Sequence, residues 1–467
     1  MRRVMIVCLL ALSVQGEAQE RFLVDWDTAG EEALNHLSEL VKIDTTNPPG
    51  NETQAAEYVK AVLGSEGIDS RLYTLEENRA SLVARIRGNG SKEPILIMGH
   101  TDVVGVQAER WVENPFGGLR KDGWVYGRGT LDDKDNVTAG LMVMLLLKRN
   151  GIELDRDVIF LSEAGEEGTP QVGITYLVEN HWDAIEAEYC LAEGGGGIAE
   201  EDHVHVVGVQ TTEKLIRRAS LVARGTAGHG SVPRPDNAIS VLADAVASVS
   251  AWQTDIRLND TTRAYFQRLA SISEPDDAFR YENVDNPQES ADIQRYFIEN
   301  FPYHNSILRT SVVPTMLNGG FRRNVVPSEA TAMLDIRMLP DEDVEAFYAE
   351  MAKVIGDPRV EIVPEEPYRP IAPPSPIDNE MFETLEKVAR QVYPGATVLP
   401  QMSTGGTDMS QVRAMGVPCY GVGPIRSTAE INSGNGAHGD NERVSEKAMV
   451  DFVRFLWLTV IDIAAKG

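Results

Sequence analysis

The chain of 467 residues has little cysteine, and after its first residues it has no apolar run that approaches the length of a membrane span. Of three cysteines, Cys8 lies near the N-terminus, which leaves Cys190 and Cys419. Two cysteines are too few for a disulfide framework, and both lie in apolar runs. We therefore expect buried free thiols rather than a bridge or cysteine metal ligands.

Basic residues are also scarce. The chain has 43 Lys and Arg against 71 Asp and Glu, so its formal net charge is −28. An acidic surface of this kind repels phosphate backbones. The composition therefore argues against a nucleic acid as partner, and most of these carboxylates are expected on a solvated face.

The first 18 residues have the pattern of an export signal. Arg2 and Arg3 precede the apolar run 4–14, and the small residues Gly16 and Ala18 follow it. We expect cleavage near Ala18 and a secreted or periplasmic product that keeps no membrane span. An uncleaved N-terminal anchor is the alternative.

Apolar runs of strand length alternate with segments of helical period near both ends of the chain. This order predicts βαβ units, and hence an α/β fold with a mostly parallel mixed sheet flanked by helices. We expect strands at 94–99, 157–162, 188–192 and 417–422. We expect helices at 53–63, 136–149 and 445–463. Another helix is expected to begin at the capping-box pattern Thr28 to Glu31.

The middle of the chain has a different pattern. Residues 330–337 alternate apolar and polar side chains, which indicates an antiparallel sheet with one wet face. We therefore predict an inserted α+β domain, with a polar segment near 255–305 as decoration. The predicted limits are 19–212 and 369–467 for the two parts of the catalytic domain and 213–368 for the insertion.

Metal-type side chains follow several of the predicted buried strands. His100 and Asp102 follow one strand, Glu166–Glu167 another and Glu193 a third, while His438 lies between the last strand and the closing helix. Open α/β sheets bind ligands at the carboxyl ends of their strands. We therefore expect these side chains to converge on one site.

The pattern also indicates roles for individual residues. His100 and Asp102 are two apart, so on an extended segment the carboxylate can orient the imidazole as a metal ligand. The side chains of Glu166 and Glu167 diverge, so one can bind metal while the other acts as a general base. The remaining histidines lack this context: His36, His181 and His304 are expected on the surface or in helices, and the pair His203 and His205 on an exposed strand.

The glycine-rich turn 127–134 raises the alternative of a phosphate cradle. It lacks the Gly-x-x-x-x-Gly-Lys-Ser/Thr arrangement, and the consecutive aspartates Asp132 and Asp133 would repel a phosphate. A carboxylate held on such a tight turn is better suited to bridging two cations.

These elements occur in the order typical of the M20 family of metallopeptidases and aminoacylases, which the chain resembles over nearly all of the sequence after the export signal. The resemblance implies two Zn²⁺ ions per chain, replaceable by Co²⁺ or Mn²⁺, and a cis peptide between Asp132 and Asp133. It implies these roles: His100 and Glu193 on one ion, Glu167 and His438 on the other, Asp132 bridging them, Asp102 behind His100, and Glu166 as catalytic base.

The inserted domain resembles the lid or dimerisation domain of that family, which makes a homodimer one expectation. The segment 227–233 matches its histidine motif, so His229 is implied to donate a hydrogen bond to the oxyanion. Asn324 and Arg337 match elements that grip the free carboxylate of a substrate, for which a guanidinium offers a bidentate fork. Thr407 is implied as a further substrate contact.

The resemblance implies hydrolysis of a peptide or amide bond beside a free carboxylate, in a small peptide. Asp135 and Gly165 depart from the common family pattern, and the turn at 127–134 is more similar to the carboxypeptidase S and secreted N-acyl amino acid hydrolase branch. Hydrolysis of an N-acyl amino acid is therefore the alternative reaction. A non-catalytic binding homologue and a two-metal phosphatase or nuclease are less favoured, since all ligands are present and the chain is acidic.

Overall fold

The computed structural model describes residues 24–200 and 203–466, so the predicted export signal at 1–18 lies outside the described residues. The strands and helices are numbered below in chain order. The strands are β1 (Ser70–Thr74), β2 (Ala80–Ile86), β3 (Ile95–His100), β4 (Leu119–Lys121), β5 (Trp124–Tyr126), β6 (Val158–Glu163), β7 (Tyr189–Ala192), β8 (Gly196–Glu200), β9 (His203–Glu213), β10 (Leu215–Arg224), β11 (Gly228–His229), β12 (Ser311–Gly319), β13 (Val325–Val326), β14 (Glu329–Met338), β15 (Val360–Pro364), β16 (Thr397–Ser403), β17 (Cys419–Gly421), β18 (Ile425–Ser427) and β19 (Arg443–Ser445).

Helices separate most of these strands, and two short 3₁₀ turns lie at Ala108–Arg110 and Pro170–Val172. The helices are α1 (Trp26–Lys42), α2 (Glu52–Ser65), α3 (Lys134–Arg149), α4 (Ile174–Asn180), α5 (Trp182–Ile185), α6 (Ala238–Ala251), α7 (Asp260–Ala270), α8 (Pro275–Glu282), α9 (Ser290–Asn300), α10 (Pro302–Ile307), α11 (Val344–Ile355), α12 (Glu380–Val392), α13 (Met409–Ala414), α14 (Thr428–Asn432) and α15 (Glu446–Ala464). None of the helices in the described residues combines the length and the apolar composition that crossing a bilayer requires.

A ten-stranded mixed sheet forms the largest layer, in the order β1-β2-β6-β3-β7-β17-β9-β8-β18, with β16 paired to β9. The central pairs β6–β3, β3–β7 and β7–β17 are parallel. Helices cover both faces because β3 is apolar on both: Ile95 and Ile97 lie in one hydrophobic cluster, and Leu96 and Met98 in another. The predicted α/β fold class is confirmed.

The N-terminus of α15 lies where the sequence predicted it, whereas the N-terminus of α1 does not. Ser445 caps α15 at the start of the helix predicted at 445–463, since its side chain accepts a hydrogen bond from the main-chain N–H of Ala448. The capping-box prediction at Thr28 was wrong. The helix starts one turn earlier at Trp26, because the side chain of Asp25 accepts hydrogen bonds from the N–H groups of Asp27 and Thr28 at 3.2 Å each.

The middle of the chain forms a separate antiparallel sheet in the order β12-β14-β10-β15. Burial alternates along β14, as its sequence predicted, and its buried side chains share a hydrophobic cluster with those of α6 and α11. The predicted domain limits at 213 and 368 stay a prediction.

The segment predicted as polar decoration forms α7 to α10 and has its own core. Tyr265, Phe266, Tyr281 and Phe297 cluster there with residues of the large sheet, such as Leu399 of β16. His304 lies in a helix, α10, which is one of the two positions expected for it, and its ring is buried against these aromatic rings. Charged and polar residues separate the apolar residues of this segment, which hid the core in the sequence.

The two cysteines of the described chain are free and buried. The parallel pairing of β7 and β17 places Cys190 and Cys419 in register on neighbouring strands. The prediction of buried free thiols is therefore confirmed for these residues.

Candidate metal centre and active site

The large sheet brings the predicted ligands to one edge. Strand β3 ends at His100 and runs parallel to β6 and β7. The segments that follow β6 and β7 carry Glu166–Glu167 and Glu193, so they leave the sheet at the same edge as His100. Convergence at this edge follows from the parallel register.

Asp132 lies between two imidazoles. Its Oδ1 is 3.0 Å from Nε2 of His100, and its Oδ2 is 3.1 Å from Nε2 of His438. The peptide between Asp132 and Asp133 is cis, as predicted. Each carboxylate oxygen of Asp132 therefore faces a different histidine, which is the arrangement that bridging two cations requires.

Two further carboxylates complete the cluster. Oε1 of Glu167 is 2.8 Å from Nε2 of His438, and Oε2 of Glu193 is 3.9 Å from Nε2 of His100. All five residues predicted to bind metal are thus within one contiguous cluster. His438 is exposed, whereas His100 is buried with 2% of its surface accessible.

The donor set fits divalent metal ions. Ligand atoms of His100, Glu166 and Glu193 lie within 4.8 Å of one another, and so do those of His100, Asp132 and Glu167. Burial, followed by the neighbouring Glu166 carboxylate, raises the pKa of Glu193 well above its ordinary value. Grouped buried carboxylates are costly without cations, and imidazole with carboxylate oxygen suits Zn²⁺.

Asp102 holds the loop that carries the two glutamates. Its Oδ1 accepts hydrogen bonds from the N–H groups of Gly165 (2.9 Å) and Glu166 (3.1 Å), and its Oδ2 accepts from the N–H of Glu167 (3.0 Å). Its main-chain oxygen, not its carboxylate, lies 2.9 Å from Nδ1 of His100, while Oδ1 is 3.5 Å away. The expectation that the carboxylate orients His100 stays a prediction, and the same carboxylate also accepts the hydrogen bonds of the loop.

Glu442 fixes the turn that carries Asp132. Its Oε1 accepts hydrogen bonds from the N–H groups of Gly129 (3.1 Å) and Leu131 (2.8 Å), and Oε2 pairs with Arg128. Glu442 is fully buried. No role was predicted for Glu442, although it lies four residues after His438 in the same motif.

The same turn is not built as a phosphate cradle. Lys134 points away from the ligand cluster and donates hydrogen bonds to the main-chain oxygens of Leu40 (3.0 Å) and Ile43 (2.8 Å). A cation there stabilises the C-terminal carbonyls of α1. The ammonium group is therefore used for packing and not for binding an anion.

Glu166 is buried beside the ligand cluster and pairs with Arg369. Burial raises the pKa of Glu166 to about 8. The same guanidinium lies 3.4 Å from Oδ1 of Asp408. No local pattern in the sequence indicated Arg369. Asp408 lies in the motif that gave Thr407 as a substrate contact, but no role was predicted for Asp408 itself.

Three side chains of the middle segment were predicted to contact the substrate or the oxyanion: His229, Asn324 and Arg337. Within the part of the chain that the structure describes, none of them belongs to the ligand cluster. His229 is exposed, and its Nδ1 lies 2.7 Å from Oγ of Ser231. Asn324 is exposed on the loop before β13. Arg337 forms a bidentate ion pair with Asp335, at 2.6 and 3.1 Å.

Thr407 directly precedes Asp408, which contacts Arg369 beside the site, but Thr407 is buried. Its hydroxyl donates to Oε2 of Glu213 at 2.7 Å, and its N–H donates to Oε1 at 3.0 Å. The side chain is therefore engaged inside the protein, and its predicted substrate contact stays a prediction.

A cavity of about 410 Å³ opens beside the ligand cluster. Its lining includes Asp132 and Glu193 and also Gly194–Gly197, Ile198 and Arg426. The cavity is large enough for a small peptide or acyl amino acid.

Comparison with known proteins places the chain among hydrolases. Residues 96–462 match the family model described as Peptidase family M20/M25/M40. The N-fatty-acyl-amino acid synthase/hydrolase of Homo sapiens is 28% identical over 447 residues, which cover 92% of this chain and 86% of the relative. A probable succinyl-diaminopimelate desuccinylase of Staphylococcus epidermidis is 26% identical over 93% of this chain and 96% of its own.

The fold has solved counterparts as well. The M20 family metallo-carboxypeptidase of Sulfolobus solfataricus superposes with a TM-score of 0.66 at 20% identity. The match covers 92% of this chain and 99% of that chain. This similarity supports the assignment of the fold.

Proposed function

Because the chain belongs to peptidase family M20/M25/M40, we propose that it is a two-metal hydrolase of a peptide or linear amide bond beside a free carboxylate. The observation that carries this proposal is the position of Asp132 between the imidazoles of His100 and His438, at 3.0 and 3.1 Å. A single carboxylate with one imidazole on each oxygen is the arrangement that two neighbouring cations need.

The residues that would hold the ions follow from the contacts. We assign His100 and Glu193 to one ion, Glu167 and His438 to the other, and Asp132 to both. Zinc fits this nitrogen and oxygen donor set, and Co²⁺ or Mn²⁺ are the expected substitutes. When bound, such ions lower the pKa of a coordinated water and polarise the scissile carbonyl.

Glu166 is proposed as the general base and acid. Its carboxylate lies beside those of the ligand cluster. Because five other residues are assigned as metal ligands, Glu166 remains available to transfer protons. It accepts a proton from the attacking water as the new C–O bond forms, and it donates that proton to the amine nitrogen as the C–N bond breaks. The contact with Arg369 holds the Glu166 carboxylate in place.

The middle segment is proposed to supply the remaining contacts. His229 would stabilise the oxyanion, and Asn324, Arg337 and Thr407 would contact substrate. Because His229 is exposed in the single chain, this role requires closure of the segment or a second chain. A homodimer through this segment is part of the proposal.

The first candidate reaction is cleavage of a small peptide, and the second is hydrolysis of an N-acyl amino acid. The second is supported by the similarity of 28% over 447 residues to a protein named N-fatty-acyl-amino acid synthase/hydrolase. Export is also proposed, on the basic and apolar pattern of residues 1–18.

A substrate screen on the zinc-loaded protein tests the proposal. Dipeptides, N-acetyl amino acids and long-chain N-acyl amino acids are compared for release of a free amino acid, with the Glu166→Gln variant as the inactive control. Release that requires both metal and Glu166 is expected. Absence of release from all three classes would contradict the proposed function.

A further inference from the structure

Arg426 is a cation in the cavity beside the ligand cluster. It lies in β18, where the parallel register places it next to Ile198 of β8. Both residues line the same cavity as Asp132 and Glu193. A guanidinium therefore shares one cavity with two of the proposed metal ligands.

This guanidinium has no ion-pair partner within residues 24–200 and 203–466, since no carboxylate oxygen there lies within 4.0 Å of it. Other arginines near the site are paired: Arg128 with Glu442, Arg369 with Glu166, and Arg337 with Asp335. Burial lowers the pKa of Arg426, and Glu430 and Glu442 offset this only in part from beyond 4.0 Å. The half-buried guanidinium therefore has acidic groups nearby but no carboxylate in contact with it. An anion entering the cavity would supply the missing partner.

The surrounding chain leaves room for this side chain. A Cβ placed on Gly436 would lie only 2.5 Å from Nη1 of Arg426, so the loop that carries His438 accommodates the guanidinium through a glycine. The apolar side chains of Ile198 and Ile431 are partly exposed on the same cavity, at 42% and 39%. The cavity thus offers aliphatic walls and one unpaired cation.

We propose that Arg426 binds a carboxylate of the substrate and selects for it; this inference rests on the proposed function. A guanidinium can grip a carboxylate through two parallel N–H bonds. The fork of Arg337 is already occupied by Asp335, whereas that of Arg426 is free to accept a ligand. The carboxylate has two possible sources, the α-carboxylate of the amino acid half or a carboxylate at the end of a dicarboxylic acyl half.

Three substrates distinguish the sources: N-pentanoyl-leucine, N-succinyl-leucine and N-pentanoyl-leucinamide. Loss of one charge-assisted pair corresponds to a decrease of roughly 10- to 100-fold. If Arg426 binds the α-carboxylate, Arg426→Met lowers kcat/KM by that factor for both acids and leaves the amide unchanged. If it binds the acyl carboxylate, only N-succinyl-leucine is affected.

A matched control and a second variant make the result specific. Arg295→Met removes the same charge from an exposed position on α9 and is expected to leave all three values unchanged. Gly436→Ala keeps Arg426 but displaces its guanidinium, so it should lower the same kcat/KM values several-fold with unchanged metal content. Equal kcat/KM for wild type and Arg426→Met on every substrate would overturn the inference.

Binding measured without turnover separates this inference from the proposed function. Calorimetry on Glu166→Gln, with and without Arg426→Met, gives Kd for the same three compounds. A carboxylate preference that disappears with Arg426→Met supports the inference even if wild type cleaves none of them, an outcome that would contradict the proposed function alone. Equal Kd values in the two proteins would overturn the role of Arg426.

Discussion

The main-chain N–H of Glu167 donates a hydrogen bond of 3.0 Å to Oδ2 of Asp102. The same carboxylate accepts from the N–H groups of Gly165 and Glu166 and from the side chain of Asn47. Asp102 is fully buried, so water cannot replace these bonds. One carboxylate therefore positions the loop that carries both a proposed ligand and the proposed base.

Replacing Asp102 with Asn should destabilise this loop. An amide nitrogen would face N–H donors, which leaves buried donors without an acceptor, and the free energy of unfolding should fall by about 2–4 kcal/mol. We expect kcat to fall at least ~10-fold, because both glutamates lose their fixed position. Urea unfolding and steady-state kinetics measure the two effects. Asp69→Asn, at an exposed position, is the control, and a variant of Asp102 as stable as that control would contradict the account.

Replacing Glu442 with Gln should weaken metal binding. Its carboxylate holds the N–H groups of Gly129 and Leu131 and pairs with Arg128, and these bonds set the position of Asp132. Loss of such a supporting contact typically lowers metal affinity ~10- to 100-fold. Competition with a chromogenic chelator measures this change. The control variant Glu345→Gln removes a carboxylate exposed on α11 and should bind metal like wild type. Equal metal affinities for wild type, Glu442→Gln and Glu345→Gln would argue against the role of Glu442 in positioning Asp132.

Replacing Glu166 with Gln should stop catalysis while leaving the metal site intact. The amide keeps the shape of the side chain but cannot accept a proton, so kcat should fall by at least ~10²-fold. Metal content should stay near two ions per chain, because Glu166 is not assigned as a ligand. Turnover assays and elemental analysis of the same sample test both statements. An unchanged kcat would remove Glu166 from this role.

The five proposed ligands could be predicted because their signal is local. Each lies in a motif at the end of a buried strand or before the last helix, and parallel strands bring such ends together. The partners of these residues could not be predicted in the same way. Arg369 reaches Glu166 across 203 positions of sequence, and this contact depends on where the chain returns after the middle segment.

The helical segment α7 to α10 shows a second limit of the sequence. Charged residues separate its apolar residues, so the sequence pattern indicated a polar surface segment. The structure places Phe266, Tyr281 and Phe297 in one cluster with Leu399 of the large sheet. A few large aromatic side chains bury enough surface to build a core that an average over the segment does not reveal.

His304 in this segment should make folding stability depend on pH. Burial lowers its pKa to about 4, so the folded protein keeps the ring neutral. The unfolded chain binds a proton near the ordinary pKa of 6.5, and the free energy of unfolding should therefore decline by up to about 3 kcal/mol as the pH falls from 6.5 to 4. Stability above pH 6.5 retains the full contribution of this residue.

Urea unfolding at several pH values measures this dependence. His304→Phe should flatten the decline between pH 6.5 and 4, because the aromatic cluster then contains no titrating ring. His205→Gln, at an exposed position on β9, should keep the wild-type slope. A slope in His304→Phe equal to that of wild type would contradict the burial argument.

Anomalous diffraction from crystals grown with zinc tests most directly whether remote segments of the chain meet around a pair of divalent ions. We predict two anomalous peaks about 3.5–4 Å apart, one beside His100 and Glu193, one beside Glu167 and His438, and both in contact with Asp132. Crystals that show no peak at these residues, or a peak that Asp132 does not touch, would contradict the account.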